Sequence, residues 1–187
     1  MDIIEAIENR RSIRSYTTRP VERAVVERLV GLGVKAPTGS GMEPWGFVVI
    51  QDEAKIDALS DAIKRKILNN LEAYPQFSQY ESWLRNEKYH IFNKAGTVLI
   101  IYGDNASAWN VYDCSLVAGN IMLAAENEGI GCCWIGFAEA MFNDPEFKAA
   151  HHVPENFHLV STLSMGYTKV PVPPCKRKDP VYFSWVE

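Results

Sequence analysis

The chain has 187 residues, with 19 Lys and Arg against 23 Asp and Glu, a formal net charge of −4 at pH 7. Apolar residues make up 47% and charged residues 22%, which fits a globular domain and excludes a disordered or collagen-like chain. The acidic balance speaks against bulk nucleic-acid binding, because a protein that neutralises phosphates carries an excess of Lys and Arg. At this length one domain over residues 1–187 is expected, with a core large enough to stand without disulfides. The longest strongly apolar run, Val98 to Tyr102, is far short of the ~20 residues of a membrane-spanning helix. The first residues, MDIIEAIENRR, lack the basic-then-apolar order of a secretory leader. Cys114, Cys132, Cys133 and Cys175 form no CxxC pair, so a reducing cytoplasm is the expected setting.

In chain order, Asp2 can cap a first helix to about Asn9, with Ile3, Ile4 and Ile7 on one face. Pro20 is placed to open a second helix, striped by Val25, Leu29 and Leu32 and ended before Pro37. Thr38 to Met42 is a Gly-rich loop, and Trp45 to Gln51 a strand rich in Phe and Val. Ile56, Leu59, Ile63 and Ile67 recur at helical spacing over about five turns. Residues 74–92 carry six aromatics, from Tyr74 to Phe92. Thr97 to Gly103 reads as a buried strand. Ala106 to Glu128 reads as a helix apolar over much of its girth, suited to burial against a second subunit, with Gly129 as its C-cap. A short apolar stretch follows at Cys132 to Phe137, then short helices split by Pro145, then a strand from Phe157 to Tyr167. Pro171 to Pro174 stiffen an arm that leads to a last strand, Val181 to Val186, free to join a neighbour's sheet. The mixture indicates a central sheet flanked by helices, in the α+β or mixed α/β class.

Several clusters could carry chemistry. Arg10, Arg11, Ser12 and Arg14 place three guanidinium forks and a hydroxyl within five residues, a donor set matched to phosphate oxygens. Lys176, Arg177 and Lys178 form a second basic group. Either both converge on one anion or both are solvated patches. APTGSGMEPW, residues 36–45, and GIGCCWIGF, residues 129–137, are small-residue segments that allow close backbone approach to a flat ligand, or else ordinary connections. No GxGxxG stands here, since Trp134 occupies the third glycine position, so a nicotinamide would bind without a Rossmann unit. The Walker loop and GxSxG are also absent. His90, His151, His152 and His158 match no zinc spacing, and Cys132 with Cys133 reads as two small buried residues.

Taken in order, IENRRSIRSY, APTGSGMEPWGFVVI, AAENEGIGCCWIGF and PPCKRKDPV resemble the nitroreductase family of FMN-dependent oxidoreductases, from Ile3 to about Val181. The resemblance implies an α+β fold with a mixed central sheet and a C-terminal arm, about residues 169–187, that adds a strand to a partner subunit. It implies a homodimer with FMN at the interface and NADH or NADPH as co-substrate. By position, it assigns the FMN phosphate and ribityl chain to Arg10, Arg11, Ser12 and Arg14, aided by Lys176 and Arg177. It assigns a contact from the partner subunit to Pro37, Thr38 and Gly39. Trp134, Ile135 and Gly136 are assigned to the ring, with backbone N–H groups near N5 and O4. No protein side chain is implied as catalytic, because the flavin N5 carries the chemistry.

Two departures stand out. The family often has Asn where this chain has Gly41 and Gln where it has Glu43, so the flavin contact of that Asn is lost, and Glu43 would place a negative charge near the cofactor if it faces inward. A mid-chain Asn of the family finds only Asn69 or Asn70 as candidates. The implied reaction passes electrons from NAD(P)H to a small planar acceptor, nitroaromatic or quinone. The aromatics of 74–92, Tyr80 and Trp83 among them, either wall the acceptor pocket or cover the core. Other chemistry on the same fold, such as dehalogenation or flavin fragmentation, and a non-catalytic flavin-binding role remain as alternatives.

Overall fold

In a computed structural model the described residues are 2–170, 172, 173 and 175–187. The sheet is built around β2, Thr97–Asp104. It pairs antiparallel with β1, Trp45–Ile50, on one side and β4, Phe157–Gly166, on the other. The short β3, Gly131–Trp134, pairs antiparallel with β4, giving the order β1-β2-β4-β3. All three ladders are antiparallel. The one parallel element among the described residues is a single bridge from Ser12 to Cys132.

Alternation along β2 decides the layering. Val98, Ile100 and Tyr102 face one core, while Leu99 and Ile101 face the other, and all five are essentially inaccessible. The first core is closed by α3, Glu53–Asn69, through Ile56, Ile63 and Ile67, and by Leu84 of α4, Glu81–Leu84. The short helices α6, Glu139–Phe142, and α7, Pro145–Ala150, complete it. The second core is closed by α2, Arg23–Gly33, and α5, Asn110–Asn127. Each aliphatic side chain fully buried in this way contributes roughly 1.5–3 kcal/mol against the entropy of folding.

Some expected boundaries move. α2 begins at Arg23 rather than Pro20, because Val21 is drawn into the core and its N–H donates to Thr97 Oγ1 at 3.0 Å. α1, Ile3–Asn9, is capped by Asp2 as expected, with Glu5 completing a capping box. Its buried residue is Ala6, however. Ile3, Ile4 and Ile7 stay 61%, 59% and 54% exposed, so the isoleucine stripe faces away from this protomer. α5 likewise buries Cys114, Val117 and Ile121 but leaves Val111, Tyr112 and Leu116 exposed. Gly129, at φ +70°, follows α5 as expected. Among the described residues the last strand does not form: residues 181–186 have no ladder partner there, and Phe183 is 99% exposed. Of the proline arm, Pro171 and Pro174 lie outside the described residues.

The segment 10–16 runs extended beside β3. Ile13 N–H donates to Cys132 O at 2.9 Å, and the buried Tyr16 hydroxyl donates to Ile13 O at 2.6 Å. The approach is close enough to require glycine at 131, where a Cβ would meet Ile13 Cγ1 at 2.7 Å. Ile13 is β-branched and stiff, so it gives little. Gly131→Ala is therefore expected to cost about 1–3 kcal/mol. A thermal melt reads this as a midpoint lowered by several degrees, and an unchanged midpoint would contradict the close approach.

Candidate functional site

Extended backbone has a two-residue repeat, so Arg10, Ser12 and Arg14 fall on one side of the segment. That side meets β3 at Cys133. Burial raises the Cys133 thiol above its ordinary value, and Arg14, the Ser12 hydroxyl and Arg10 pull it back. All three thus lie near enough to Cys133, a point at the sheet edge, to act on its thiol. None of Arg10, Arg11 and Arg14 has a carboxylate partner among the described residues, although the chain is acidic overall. Arg11 departs from the group. Its guanidinium folds back onto the carbonyls of Glu8 and Arg10, and its buried Nε has no partner among the described residues.

Beside this point lies a cavity of about 290 Å³. Arg14 reaches one rim, and Cys133 to Phe137 form its floor. The opposite wall comes from the aromatic stretch: Phe77, Tyr80 and Tyr89 pack around Phe137 at ring distances of 5.0, 5.4 and 6.2 Å. Trp83 adds to the wall and is half exposed, 5.4 Å from Tyr80. Burial raises the Tyr89 hydroxyl above its ordinary value, with Arg14 opposing, so it stays protonated at neutral pH. The aromatic wall is a residue set that composition pointed to. Its hub, Phe137, and the rim residue Asn93 were not singled out from the sequence.

The segment 134–136 differs in detail from expectation. Ile135 N–H donates to Thr162 O at 2.8 Å, so it is engaged in the sheet and is not free for a ligand. Its side chain is buried in the first core. The Gly136 N–H has no acceptor among the described residues, and a Cβ at that position would meet nothing within 4 Å. The backbone at Gly136 therefore opens on the cavity. Trp134 is partly exposed at its mouth.

Pro37, Thr38 and Gly39 lie elsewhere in the protomer. Gly39 N–H donates to Asp113 Oδ1 at 3.0 Å, and the Trp109 ring packs where a Gly39 Cβ would sit. The loop is thus fixed to the amino end of α5 and shares neither a hydrogen bond nor the aromatic cavity with the arginines. It is tightly turned, with Ser40, Gly41 and Glu43 all at positive φ. Lys176 and Arg177 are exposed on the tail and make no ion pair among the described residues. Asn69 and Asn70 end α3 in exposed positions away from the cavity. The three core cysteines are free thiols, and burial pushes Cys114 and Cys132 up to about 12, so they behave as small apolar residues.

The donor set fits a flavin mononucleotide on two grounds: unpaired guanidinium groups beside a hydroxyl, and an open glycine backbone facing a flat cavity with aromatic walls. The sheet and helices superpose on a nitroreductase with bound FMN from Bacteroides fragilis, with a TM-score of 0.83 at 23% identity, covering 100% of this chain and 98% of that one. A protein of Archaeoglobus fulgidus with the provisional name NADH dehydrogenase/NAD(P)H nitroreductase is 28% identical over 177 residues, 90% of this chain and 86% of its own. An iodotyrosine deiodinase of Thermotoga neapolitana is 20% identical over 155 residues, 78% of this chain and 77% of its own. The family model described as "Nitroreductase family" matches residues 7–167, most of the chain, and on that ground the chain belongs to the nitroreductase family.

Proposed function

We propose that this single-domain chain is an FMN-dependent oxidoreductase that takes electrons from NADH or NADPH and passes them to a small planar acceptor, a nitroaromatic or a quinone, in a ping-pong cycle. The observation that carries this reading is the grouping of Arg10, Ser12 and Arg14 around Cys133, where Arg14 reaches the rim of an aromatic cavity, with no carboxylate among the described residues to neutralise them. When bound, FMN supplies the electron relay at N5. The chain's own work is binding, orientation and charge balance. Arg10, Ser12 and Arg14 hold the phosphate and ribityl chain, and Lys176 and Arg177 of the tail add charge at the phosphate. Arg11 steadies the backbone of the segment rather than the ligand. Gly136 N–H, open on the cavity, is placed where it would donate to the ring and stabilise negative charge on it. Trp134 and Ile135 bound the ring. Tyr80, Trp83 and Tyr89 stack on the acceptor and keep water out.

A second copy completes the site. Ile3, Ile4 and Ile7 of α1, with Val111, Tyr112 and Leu116 of α5, are large exposed apolar side chains of the kind that mark an interface. The tail beyond residue 180 exposes Val181, Tyr182, Phe183, Trp185 and Val186. A homodimer with FMN at the interface covers these surfaces, and the tail strand then forms on the partner. The same assembly brings Pro37, Thr38 and Gly39 to the other copy's flavin, which accounts for their distance from the arginines in one protomer. No helix is long and apolar enough to cross a membrane among the described residues. The reduced thiols suit a cytoplasmic setting. Dehalogenation remains the same-fold alternative, supported by the deiodinase relatives; it predicts halide release from an iodinated phenol.

Arg14→Gln is expected to weaken FMN at least tenfold, the equivalent of about 1.4 kcal/mol. Arg28→Gln, which removes a surface pair with Glu128, serves as the control. Flavin titration of the apo-protein reads both, and equal affinities in the two variants would sink the assignment. Replacing Tyr80 and Trp83 with Ala is expected to raise the acceptor KM several-fold while FMN affinity holds. Unaltered acceptor turnover would show that these rings only cover the core.

A further inference from the structure

α3 carries three polar residues that neither its helix nor its core packing requires. Asp57, Ser60 and Lys64 are spaced three and four apart, so they form one stripe. Ser60 is wholly buried and Lys64 is 8% exposed. An apolar side chain at either place would avoid the cost of desolvating a polar group. Each is instead bonded to the irregular segment that follows α4. Ile91 N–H donates to Ser60 Oγ at 2.9 Å. The Lys64 ammonium donates to the carbonyls of Asn86 and Tyr89, at 3.1 and 3.0 Å. Asp57 takes His90 Nε2–H at 3.0 Å and pairs with Lys94 at 2.8 Å.

The clamped segment is a wall of the cavity. Tyr89, Ile91 and Asn93 line it, while His90 and Phe92 turn back toward α3 and the core. The turn closes through Asn93 and Lys94, both at positive φ, a conformation that a chain holds only when its surroundings enforce it. His90 is the joint. Its Nδ1 accepts the N–H groups of both Phe92 and Lys94, at 3.1 and 3.2 Å, so in the neutral ring the proton sits on Nε2 and points at Asp57.

We propose that Asp57, Ser60 and Lys64, joined to the turn through His90, are positioning residues that fix Tyr89, Ile91 and Asn93 and thereby set which planar acceptors the cavity admits. This rests on the reading of the cavity as the acceptor site. It makes acceptor recognition sensitive to pH. A proton on Nδ1 would set a donor against two donors and undo the turn. The charged groups facing His90 are Asp57 and Asp61 of α3, which favour that proton, and Lys94, which with burial opposes it. Burial is the largest of these effects and outweighs the Asp57 bond, so the ring takes its proton at a lower pH than an ordinary histidine and is neutral at pH 7.

The test uses FMN-loaded protein, a nicotinamide donor and 1,4-naphthoquinone as the acceptor. Ser60→Ala and Lys64→Met should each raise the quinone KM about five- to tenfold, with the rate of nicotinamide-driven flavin bleaching unchanged. Lys64→Arg should recover most of the loss. In the parent protein the quinone KM should rise as pH falls from 7 to 5. His90→Asn, whose Oδ1 keeps an acceptor near the Nδ1 position without titrating, should flatten that rise. A second readout needs no flavin: at fixed pH, amides of residues 86–94 in apo Ser60→Ala should exchange at least tenfold faster, with β2 amides unchanged. Parent-like quinone KM and parent-like exchange in both Ser60→Ala and Lys64→Met would overturn the proposal while leaving the flavin reading intact. Failure of the parent protein to bind FMN or reduce the quinone would instead remove the reading on which it rests.

Discussion

The docking of residues 10–16 along β3 is the constraint on which the site depends. One backbone hydrogen bond, Ile13 N–H to Cys132 O, sets the register. The parallel bridge at Ser12 and the buried Tyr16 hydroxyl, bonded to Ile13 O, keep it there. A slip of one residue would exchange the faces, turning Arg10, Ser12 and Arg14 away from Cys133 and taking Arg14 off the cavity rim. The glycine at 131 and the isoleucine at 13 exclude that slip by shape, since their approach leaves no room for a Cβ. Charge then follows from geometry. An acidic chain holds a local cluster of unpaired guanidinium groups because the backbone on which they sit is fixed by packing rather than by ion pairs.

The sheet supplies the rigidity that this arrangement needs. β2 is buried on both faces, so its neighbours β1 and β4 are held by two cores at once. β3 lies at the edge of that body and carries Cys133 and Trp134 to the cavity. Binding groups thus project from the stiffest part of the protein. The opposite wall is different in kind. The stretch from Leu71 to Leu84 has only short turns of helix, and the segment from Arg85 to Gly96 has none. It is kept in place by aromatic packing on Phe137 and by polar bonds to α3. A site with one rigid side and one side fastened by a few replaceable bonds can hold a single cofactor while different relatives accept different substrates.

Much of this was legible in the sequence. Helices and strands followed their apolar periods, and the buried strand at 97–103 stood out because both of its faces are apolar. Residue type marked the arginine segment as a candidate anion site but left a solvated patch equally open, and only the resemblance to a family pointed to a flavin phosphate. What escaped the sequence depended on partners distant along the chain. The isoleucines of α1 have a helical stripe, but nothing local says that Ala6 faces inward and they do not. The tail at 181–186 has the composition of a strand, and it pairs with none of the described strands, in keeping with an arm meant for a neighbour's sheet. The expected N–H of Ile135 is engaged by Thr162, twenty-seven positions on, a pairing no local pattern reveals. Ser60 and Lys64 look like solvated helix residues until the segment they clamp folds over them.

The central claim is that the arginine and serine side chains beside β3 recognise a phosphate carried by a flavin. Titrating the apo-protein with FMN and with riboflavin, which differ only in that phosphate, tests it most directly. The account predicts binding of FMN at one per chain and at least a hundredfold weaker binding of riboflavin, about 2.8 kcal/mol. Equal affinity for the two, or no binding of either, would contradict it.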